Sequence, residues 1–305
     1  MIEVAIMVEG QNGLNWPRWQ RLARAVESLG FAGLYRSDHY TNHEPPDLDS
    51  LELWVSLTWL ASHTKRIEFG SMVSPMTFRH PTMTARMASA VDDLSGGRLT
   101  LGLGAGWQAR EHANYGWDLL PVPQRFDRFE EGLEVITRLL NSDGPVDFAG
   151  HYFQLKEAIL LPRPARTGGP KILIGGTGPK RTLPLVARYA AEWNGNVIPP
   201  AEFARLNAEL DRLLQENGRE PKAVKRSLTT NIVYGKVAQV LRQKVQMMGG
   251  DASRLKERGL LVGTGSEIIE QLGGLQEAGV QRVMLQWLDL DDLAGLEDLA
   301  KDIYN

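Results

Sequence analysis

The sequence predicts an α/β fold, an eight-stranded parallel (β/α)8 TIM barrel with a hairpin insertion and a helical excursion before the last strand. Eight short apolar runs alternate with longer segments of helical period. Right-handed crossovers between parallel strands close such a chain into a barrel. The alternative, a doubly wound open sheet, is usually complete with about five or six strands. We therefore expect one barrel domain over residues 1–305.

The apolar runs predict strands at 3–9, 31–36, 66–73, 98–106, 171–176, 192–198, 226–235 and 282–288. Apolar residues repeating at helical spacing predict helices at 16–30, 50–64, 82–97, 125–140, 179–191 and 201–217, a long and mostly helical stretch at 236–279, and a terminal helix. Asp49 or Ser50 is the expected N-cap of the second helix. Pro179 suits the first turn of its helix. Residues 141–170 are rich in Pro and Gly and predict a hairpin insertion turning at Ala149 and Gly150.

Composition excludes several classes of function. The 34 Lys and Arg residues nearly balance 37 Asp and Glu, and no basic run is long enough to follow a phosphate backbone, so we expect no nucleic-acid partner. The chain has no Cys, which excludes disulfides and thiolate catalysis. No apolar run approaches the roughly 20 residues of a membrane span, and the acidic N-terminal stretch is unlike a signal peptide. We expect a cytoplasmic protein that does not enter membranes.

Active-site residues of a barrel follow the C-terminal ends of its strands. After the second strand comes a polar group of residues, Arg36-Ser37-Asp38-His39-Tyr40. Histidine changes its charge closest to neutral pH, so His39 could give or take a proton at the barrel mouth. The alternative is a loop histidine satisfied by local hydrogen bonds.

Small residues follow the third and fourth strands. Gly70 and Ser71 leave space near the backbone, and Pro75 prevents the third strand from continuing. Gly104-Ala105-Gly106 with Ala109 matches the Gly-x-Gly-x-x-Ala dinucleotide pattern, but the aromatic residues that follow favour a loop over the required helix. The small residues instead suit a flat ligand lying against the backbone, with Trp107 as a wall. Trp107 and Trp117 as core residues are the alternative.

The fifth strand ends in "ILIGGTGPKR". Gly175, Gly176 and Gly178 expose backbone N–H groups before a predicted helix, and Lys180 and Arg181 add positive charge, so the segment predicts a phosphate site. It is not a Walker loop, because Pro179 separates the glycine from the lysine. A plain turn is the alternative.

Other catalytic sites have little support. The six histidines form no His-x-x-x-His pair on a predicted helix, so we expect no metal. The segment Gly-x-Ser-x-Gly is absent, and "GTGSE" at 263–267 predicts a helix cap.

Together, "SDHY", "TFRHP", "DDLSGGRLTLGLGAGW", "EHANYGWD", "RFDRFEEGLEVI", "VDFAGHYFQL" and "ILIGGTGPKRTLPLVARYAAEWN" resemble the luciferase-like monooxygenase superfamily, deazaflavin (coenzyme F420)-dependent oxidoreductase branch. The resemblance runs from about residue 3 to 290. It implies a barrel with a hairpin insertion, a cofactor ring across the barrel mouth, a small-molecule substrate and a homodimer. Trp107 stands where the sugar-phosphate dehydrogenase branch has a carboxylate, so that activity is not expected.

The resemblance also implies site residues. Those expected beside the reactive ring are Asp38 and His39. Those expected to contact the cofactor are Met72, Val73, Ala105, Gly106, Trp107, Gly175, Gly176, Thr177 and Gly178. A non-proline cis peptide is implied at Met72-Val73, although relatives with Gly in place of Met72 leave a shift of one residue open.

The resulting hypothesis is hydride transfer between coenzyme F420 and a small organic substrate. One alternative is an FMN-dependent monooxygenase on the same scaffold. Another is a non-catalytic flavin-binding barrel. A phosphate-binding isomerase or aldolase would need a Lys or Glu inside the barrel at a strand end, and Glu68 is its one weak candidate.

Overall fold

The computed structural model describes residues 2–304. The strands are β1 (Glu3–Val8), β2 (Gly33–Arg36), β3 (Glu68–Ser71), β4 (Ser74–Pro75), β5 (Leu99–Gly104), β6 (Val146–Ala149), β7 (Gln154–Ala158), β8 (Lys171–Gly175), β9 (Glu192–Asn196), β10 (Lys225–Tyr234), β11 (Leu261–Gly263) and β12 (Arg282–Gln286). The α-helices are α1 (Trp16–Ser28), α2 (Leu53–His63), α3 (Pro81–Ser95), α4 (Ala109–Tyr115), α5 (Val122–Asn141), α6 (Thr182–Tyr189), α7 (Pro200–Glu216), α8 (Ala238–Met247), α9 (Ala252–Glu257), α10 (Gly265–Glu277) and α11 (Leu293–Tyr304).

Eight parallel strands close into a barrel. Their order is β1-β2-β3-β5-β8-β9-β10-β12, and β12 pairs again with β1. The closing register joins Glu3 to Arg282 and Met7 to Gln286. Helices connect the successive strands on the outside. The predicted (β/α)8 TIM barrel is therefore confirmed, with its eight strands at the predicted places.

The helices form where the sequence offers a cap and an apolar stripe. In α1, the Asn15 side chain accepts the N–H of Arg18 at 3.2 Å and so caps the first turn. The side chains buried against the barrel recur at helical spacing; they are Trp19, Leu22, Ala23 and Val26. A Thr264–Glu267 capping box starts α10, which confirms the cap predicted for this segment.

Two features lie outside the barrel. The antiparallel pair β6–β7, with Phe148 opposite Leu155, confirms the predicted hairpin insertion. The excursion before the last barrel strand is mostly helical, as expected, and it also contains the strand β11, where Leu261 pairs in parallel with Ile232 of β10. The buried run "LLVG" is apolar enough to extend the sheet rather than continue a helix.

Three local predictions are wrong. The N-cap of α2 is Glu52, whose side chain accepts the N–H of Val55 at 2.8 Å, rather than Asp49 or Ser50. Helix α6 begins at Thr182 instead of 179, because residues 179–181 form a turn. The aromatic segment after β5 is the helix α4, ended by Gly116 in the left-handed conformation.

Side chains on the barrel strands alternate between two cores. The large core lies between strands and helices and takes residues such as Val4 and Ile6. A smaller core inside the barrel contains Ala5, Met7, Tyr35, Met72, Leu173 and Met284. Successive residues of a strand point to opposite faces, which produces this division.

No helix within residues 2–304 is long and apolar enough to cross a membrane.

Below the inner core, Arg282 closes the N-terminal end of the barrel. Its guanidinium pairs with Glu68 at 2.5 Å and Glu192 at 3.3 Å and donates to the Tyr35 hydroxyl at 2.6 Å. Burial raises the pKa of Glu192. Glu68 therefore belongs to this floor and lies at the start of β3, away from the barrel mouth, which removes the one residue favouring an isomerase or aldolase.

Candidate active site

A cavity of about 420 Å³ opens at the C-terminal mouth of the barrel. That volume lies in the usual range for pockets that take small molecules or cofactors. The predicted site residues that line it are His39, Met72, Val73, Ala105, Gly106, Trp107, Gly175 and Gly176. Asp38, Thr177 and Gly178, which also lie in the described part of the chain, are not in its lining. The structure thus brings together strand ends that are far apart in sequence.

His39 is held at the cavity by a buried carboxylate. Its Nδ1 lies 2.9 Å from Oε2 of Glu111, a fully buried residue of α4. The other carboxylate oxygen accepts the backbone N–H groups of Tyr40 and Thr41, the latter at 3.2 Å. The hydroxyl of Ser50 donates to the carbonyl of His39 at 2.5 Å. The imidazole therefore has a fixed orientation.

The contact with Glu111 determines the direction in which the pKa of His39 is shifted. Burial alone would lower the pKa of His39, but the hydrogen bond to Glu111 and the charge of that carboxylate outweigh it, so the pKa is raised above 6.5. The second ring nitrogen, Nε2, bonds to no protein group within residues 2–304. A histidine with one nitrogen fixed and the other free beside a cavity suits proton transfer. His39 is thus more than a loop histidine satisfied by its own neighbours.

Glu111 was missed because the segment around it was interpreted as an aromatic loop. A helical interpretation of "AREHANY" before Gly116 places Glu111 in a first turn and makes it a residue that can face the barrel mouth. The neighbouring His112 points elsewhere, since its nitrogens bond the Gln108 carbonyl at 2.7 Å and the Thr77 hydroxyl at 2.8 Å.

Trp107 and Trp117 have different roles. Trp107 is 57% exposed, lines the cavity, and meets the His39 ring edge to face with centroids 5.6 Å apart. Trp117 packs among Phe78 and Tyr115 with centroids 4.6 and 5.0 Å apart. Trp117 is only half-buried and packs on these aromatic residues outside the hydrophobic core, so the core interpretation fits neither tryptophan, and Trp107 is the wall of the cavity.

Asp38 lies on the other side of the strand end from His39. It is buried, accepts the hydroxyl of Ser74 at 2.7 Å, and forms an ion pair with Arg79. Arg79 also reaches Glu52 at 2.9 Å, and the charge of Asp38 helps to raise the pKa of this arginine against the effect of its burial. Asp38 thus ties the segment after β2 to the segments before α2 and α3, and it does not reach the cavity.

Met72 and Val73 form the back of the cavity, and the peptide bond between them is cis, as predicted. The glycines beside them serve this wall. A Cβ on Gly104 would lie 2.7 Å from a methyl of Val73, and one on Gly175 would lie 3.1 Å from the other. Glycine is therefore needed at positions 104 and 175 to leave space for the Val73 side chain.

The turn after β8 has backbone N–H groups without protein partners in the described part of the chain. Gly176 has a φ of +127°, and its carbonyl accepts the indole N–H of Trp193 at 2.8 Å. The next backbone N–H groups, those of Thr177 and Gly178, donate to no protein group in the described part of the chain. Thr177 is half-buried and Gly178 is exposed, so these N–H groups, which follow the cavity-lining Gly176, are open to water or to an anion. Arg181, by contrast, is paired with Asp127 at 2.5 Å.

Polar side chains, most of them in or just after β1, β9, β10 and β12, complete the lining. They are Glu9, Gln11, Ser37, Asn194, Asn196, Thr229 and Gln286, and of these Ser37 and Asn194 lay in segments that sequence analysis had selected. The Glu9 carboxylate accepts one amide N–H from Gln286 and one from Gln11. Within residues 2–304, no group of three His, Asp or Glu side chains is arranged to hold a metal ion.

Comparison with known proteins extends this description. Over 206 residues the chain is 31% identical to an F420-dependent hydroxymycolic acid dehydrogenase of Mycobacterium tuberculosis, covering 65% of this chain and 54% of that protein. Over 188 residues it is 32% identical to a 4-hydroxyprotoasukamycin monooxygenase of Streptomyces nodosus subsp. asukaensis, covering 62% and 49%. The chain thus matches about half the length of these curated relatives. Both F420-dependent dehydrogenases and monooxygenases are among its relatives.

An F420-dependent enzyme is also among the solved structures with a similar fold. An F420-dependent secondary alcohol dehydrogenase, solved with an F420-acetone adduct, superimposes with a TM-score of 0.84 at 18% identity, covering 100% of this chain and 99% of that one. That likeness supports the barrel alone. The family model of the luciferase-like monooxygenases matches residues 3–259. Because this match spans most of the barrel, the chain belongs to the luciferase-like monooxygenase family.

Proposed function

We propose that the protein is an oxidoreductase that transfers a hydride between coenzyme F420 and a small organic substrate. The observation that carries the proposal is the His39–Glu111 pair at the cavity, with Nδ1 fixed and Nε2 free. Moving a hydride to or from a carbonyl or alcohol carbon also requires a proton at the oxygen. A histidine held at the mouth of the barrel can supply or remove that proton.

His39 and Glu111 divide the work between them. Glu111 holds the Nδ1–H, so the imidazole presents Nε2 to the cavity. The raised pKa of His39 keeps a proton available close to neutral pH. When bound, coenzyme F420 would supply or accept the hydride, and His39 would give or take the proton or stabilise negative charge that develops on the ring. Asp38 acts on this site by positioning the segment that carries His39.

The remaining predicted residues would hold the cofactor. We infer that Met72, Val73, Ala105 and Gly106 support one face of the ring, with Trp107 at its edge. The free N–H groups of Thr177 and Gly178 would hold the phosphate, next to Gly175 and Gly176 in the cavity lining. A cytoplasmic homodimer acting on a small molecule, as the sequence suggests, completes the proposal.

An FMN-dependent monooxygenase is the second candidate, and similarity to a monooxygenase over 62% of the chain favours it. Its cofactor also has a flat ring and a phosphate, so the same cavity walls would serve. A non-catalytic barrel has less support, because it gives no reason to bury a carboxylate against the cavity histidine.

Titration of the purified protein with coenzyme F420 and with FMN, each oxidised and reduced and followed by fluorescence, separates the two. We expect F420 to bind at least about tenfold more tightly than FMN, a difference of about 1.4 kcal/mol. Tight binding of FMN alone would contradict the deazaflavin proposal. Light scattering on the same sample tests the dimer.

A further inference from the structure

The cavity contains one carboxylate besides the His39–Glu111 pair, that of Glu9. Glu9 follows β1 on the inward side of the strand and is half-buried in the cavity lining. It makes no ion pair with any Lys or Arg of residues 2–304, and the described lining contains neither residue type. When His39 is protonated, Glu111 balances its charge. The charge of Glu9 also helps to raise the pKa of His39, but within residues 2–304 Glu9 forms no ion pair of its own.

The Glu9 carboxylate is nevertheless held in place. Oε1 accepts an amide N–H of Gln286, and Oε2 accepts an amide N–H of Gln11 at 3.1 Å. The orientation of Gln11 is fixed in turn, because its Oε1 accepts the hydroxyl of Ser37 at 3.0 Å and that hydroxyl oxygen accepts the N–H of Gly10 at 2.9 Å. These successive hydrogen bonds hold the Glu9 carboxylate in the orientation that faces the cavity.

The carboxylate retains acceptor capacity. An ionised carboxylate offers about four lone-pair sites, and only two of those on Glu9 are used by Gln11 and Gln286. Both protein donors are neutral amides, so the strongest available partner, a charged donor, is absent. A bound molecule that carries an ammonium or a hydroxyl group would supply it, whereas a molecule carrying a carboxylate would be repelled.

We propose that Glu9, fixed by Gln11 and Gln286, is the specificity-determining residue of a substrate subsite that takes a hydrogen-bond-donating group, an ammonium most strongly and a hydroxyl less so. The inference rests on the proposed function in that it assigns the cavity to a substrate as well as a cofactor. It narrows the substrate class to amines and alcohols and excludes molecules that place an anion at this position.

Three probes with the same ring test the subsite: benzylammonium, benzyl alcohol and benzoate. Their affinity is measured calorimetrically for the F420-loaded protein and for the protein alone. We expect the wild-type protein to prefer benzylammonium over benzoate by about tenfold or more, the factor that one charge-assisted hydrogen bond supplies. Benzyl alcohol should fall between them.

Glu9→Gln keeps the size of the side chain and removes its charge, so the preference for benzylammonium should disappear. Glu277→Gln, which changes an exposed carboxylate at the end of α10, is the control and should retain it. A wild-type protein that does not bind benzylammonium better than benzoate overturns the inference, and so does a Glu9→Gln protein with unchanged preference.

The affinity for F420 itself separates this inference from the proposed function. We expect Glu9→Gln to leave the dissociation constant of F420 within about twofold of wild type. If the substitution weakens F420 and leaves the probes unaffected, Glu9 serves the cofactor and the subsite is refuted, while the proposed function stands. If F420 does not bind but the probe preference does depend on Glu9, the proposed function fails and the subsite is supported.

Discussion

Replacing Glu111 by Gln tests the central feature of the site, the control of His39 by a buried carboxylate. The change preserves side-chain size and keeps one oxygen for the N–H groups of Tyr40 and Thr41. It places an NH2 group where Oε2 now lies, 2.9 Å from Nδ1 of His39. Because an amide NH2 can only donate, Nδ1 must become an acceptor and the imidazole must be neutral.

The expected result is a fall in the pKa of His39 to below 6.5. Burial lowers this pKa, and in the wild-type protein the hydrogen bond to Glu111 and its charge reverse the effect. Without the carboxylate, the effect of burial prevails. The contribution of His39 to stability therefore depends on pH with opposite signs in the wild-type protein and in the variant. The wild-type protein gains stability from His39 below pH 6.5 and loses it as the pH rises through the raised pKa, whereas the variant loses stability as the pH falls through 6.5.

The expected loss of stability follows from the removal of the His39–Glu111 hydrogen bond. A hydrogen bond between charged groups contributes about 1.5–3 kcal/mol to the free energy of unfolding. Each unit by which the pKa of His39 falls corresponds to about 1.36 kcal/mol. We therefore expect Glu111→Gln to destabilise the protein by roughly 2 kcal/mol at pH 6 and by less at pH 9, where less of the wild-type histidine is protonated.

NMR titration of the His39 ring measures its pKa and tautomer, with the signal assigned by its absence in a His39→Ala spectrum. Urea unfolding at pH 6 and pH 9 measures the stability. Glu131→Gln is the matched control, because Glu131 also accepts backbone N–H groups, from His151 and Tyr152 at 2.8 Å, without contacting a histidine ring. A pKa of His39 that stays above 6.5 in Glu111→Gln, or falls equally in Glu131→Gln, would refute the reasoning.

Two further substitutions test the chemistry and the phosphate site. His39→Ala should lower kcat about 10²- to 10⁴-fold, the range for loss of a general acid or base, with little change in F420 affinity. His151→Ala, at an exposed position, is the control. Turnover of His39→Ala equal to that of the control would assign His39 a structural role. Gly176→Val should weaken F420 binding by about tenfold or more, because φ is +127° and a Cβ would lie 3.3 Å from Thr182. Gly218→Val also places a β-branched side chain at a positive φ, +69°, with open space around it, and should bind F420 normally; equal affinities in the two variants would place the phosphate elsewhere.

The barrel could be predicted because it depends on local patterns, and part of its mouth could be predicted from strand ends and the family resemblance. Strand periodicity located all eight barrel strands, and strand ends carry the cavity. The contact of His39 with Glu111 could not be predicted in the same way, since it joins residues 72 positions apart through a short helix that is not part of the barrel rhythm. The role of Asp38 depends likewise on Arg79, 41 residues away, and no local pattern indicates that pairing.

The alternation of strand side chains nevertheless holds more information about the site than strand ends alone. On β2, Leu34 belongs to the outer core and Tyr35 to the inner one. Continuing that alternation past the strand sends Asp38 outward and His39 into the cavity, as observed.

The same period on β1 places Ala5 and Met7 inside the barrel and continues to Glu9 and Gln11, both of which line the cavity. Gln286 extends the inward face of β12, two residues after Met284. The polar half of the cavity is therefore a continuation of the inner core, with polar side chains replacing apolar ones where the strands end. Glu9 and Gln286 meet because β1 and β12 pair with Met7 opposite Gln286, so the register of barrel closure is what sets the carboxylate of the proposed subsite.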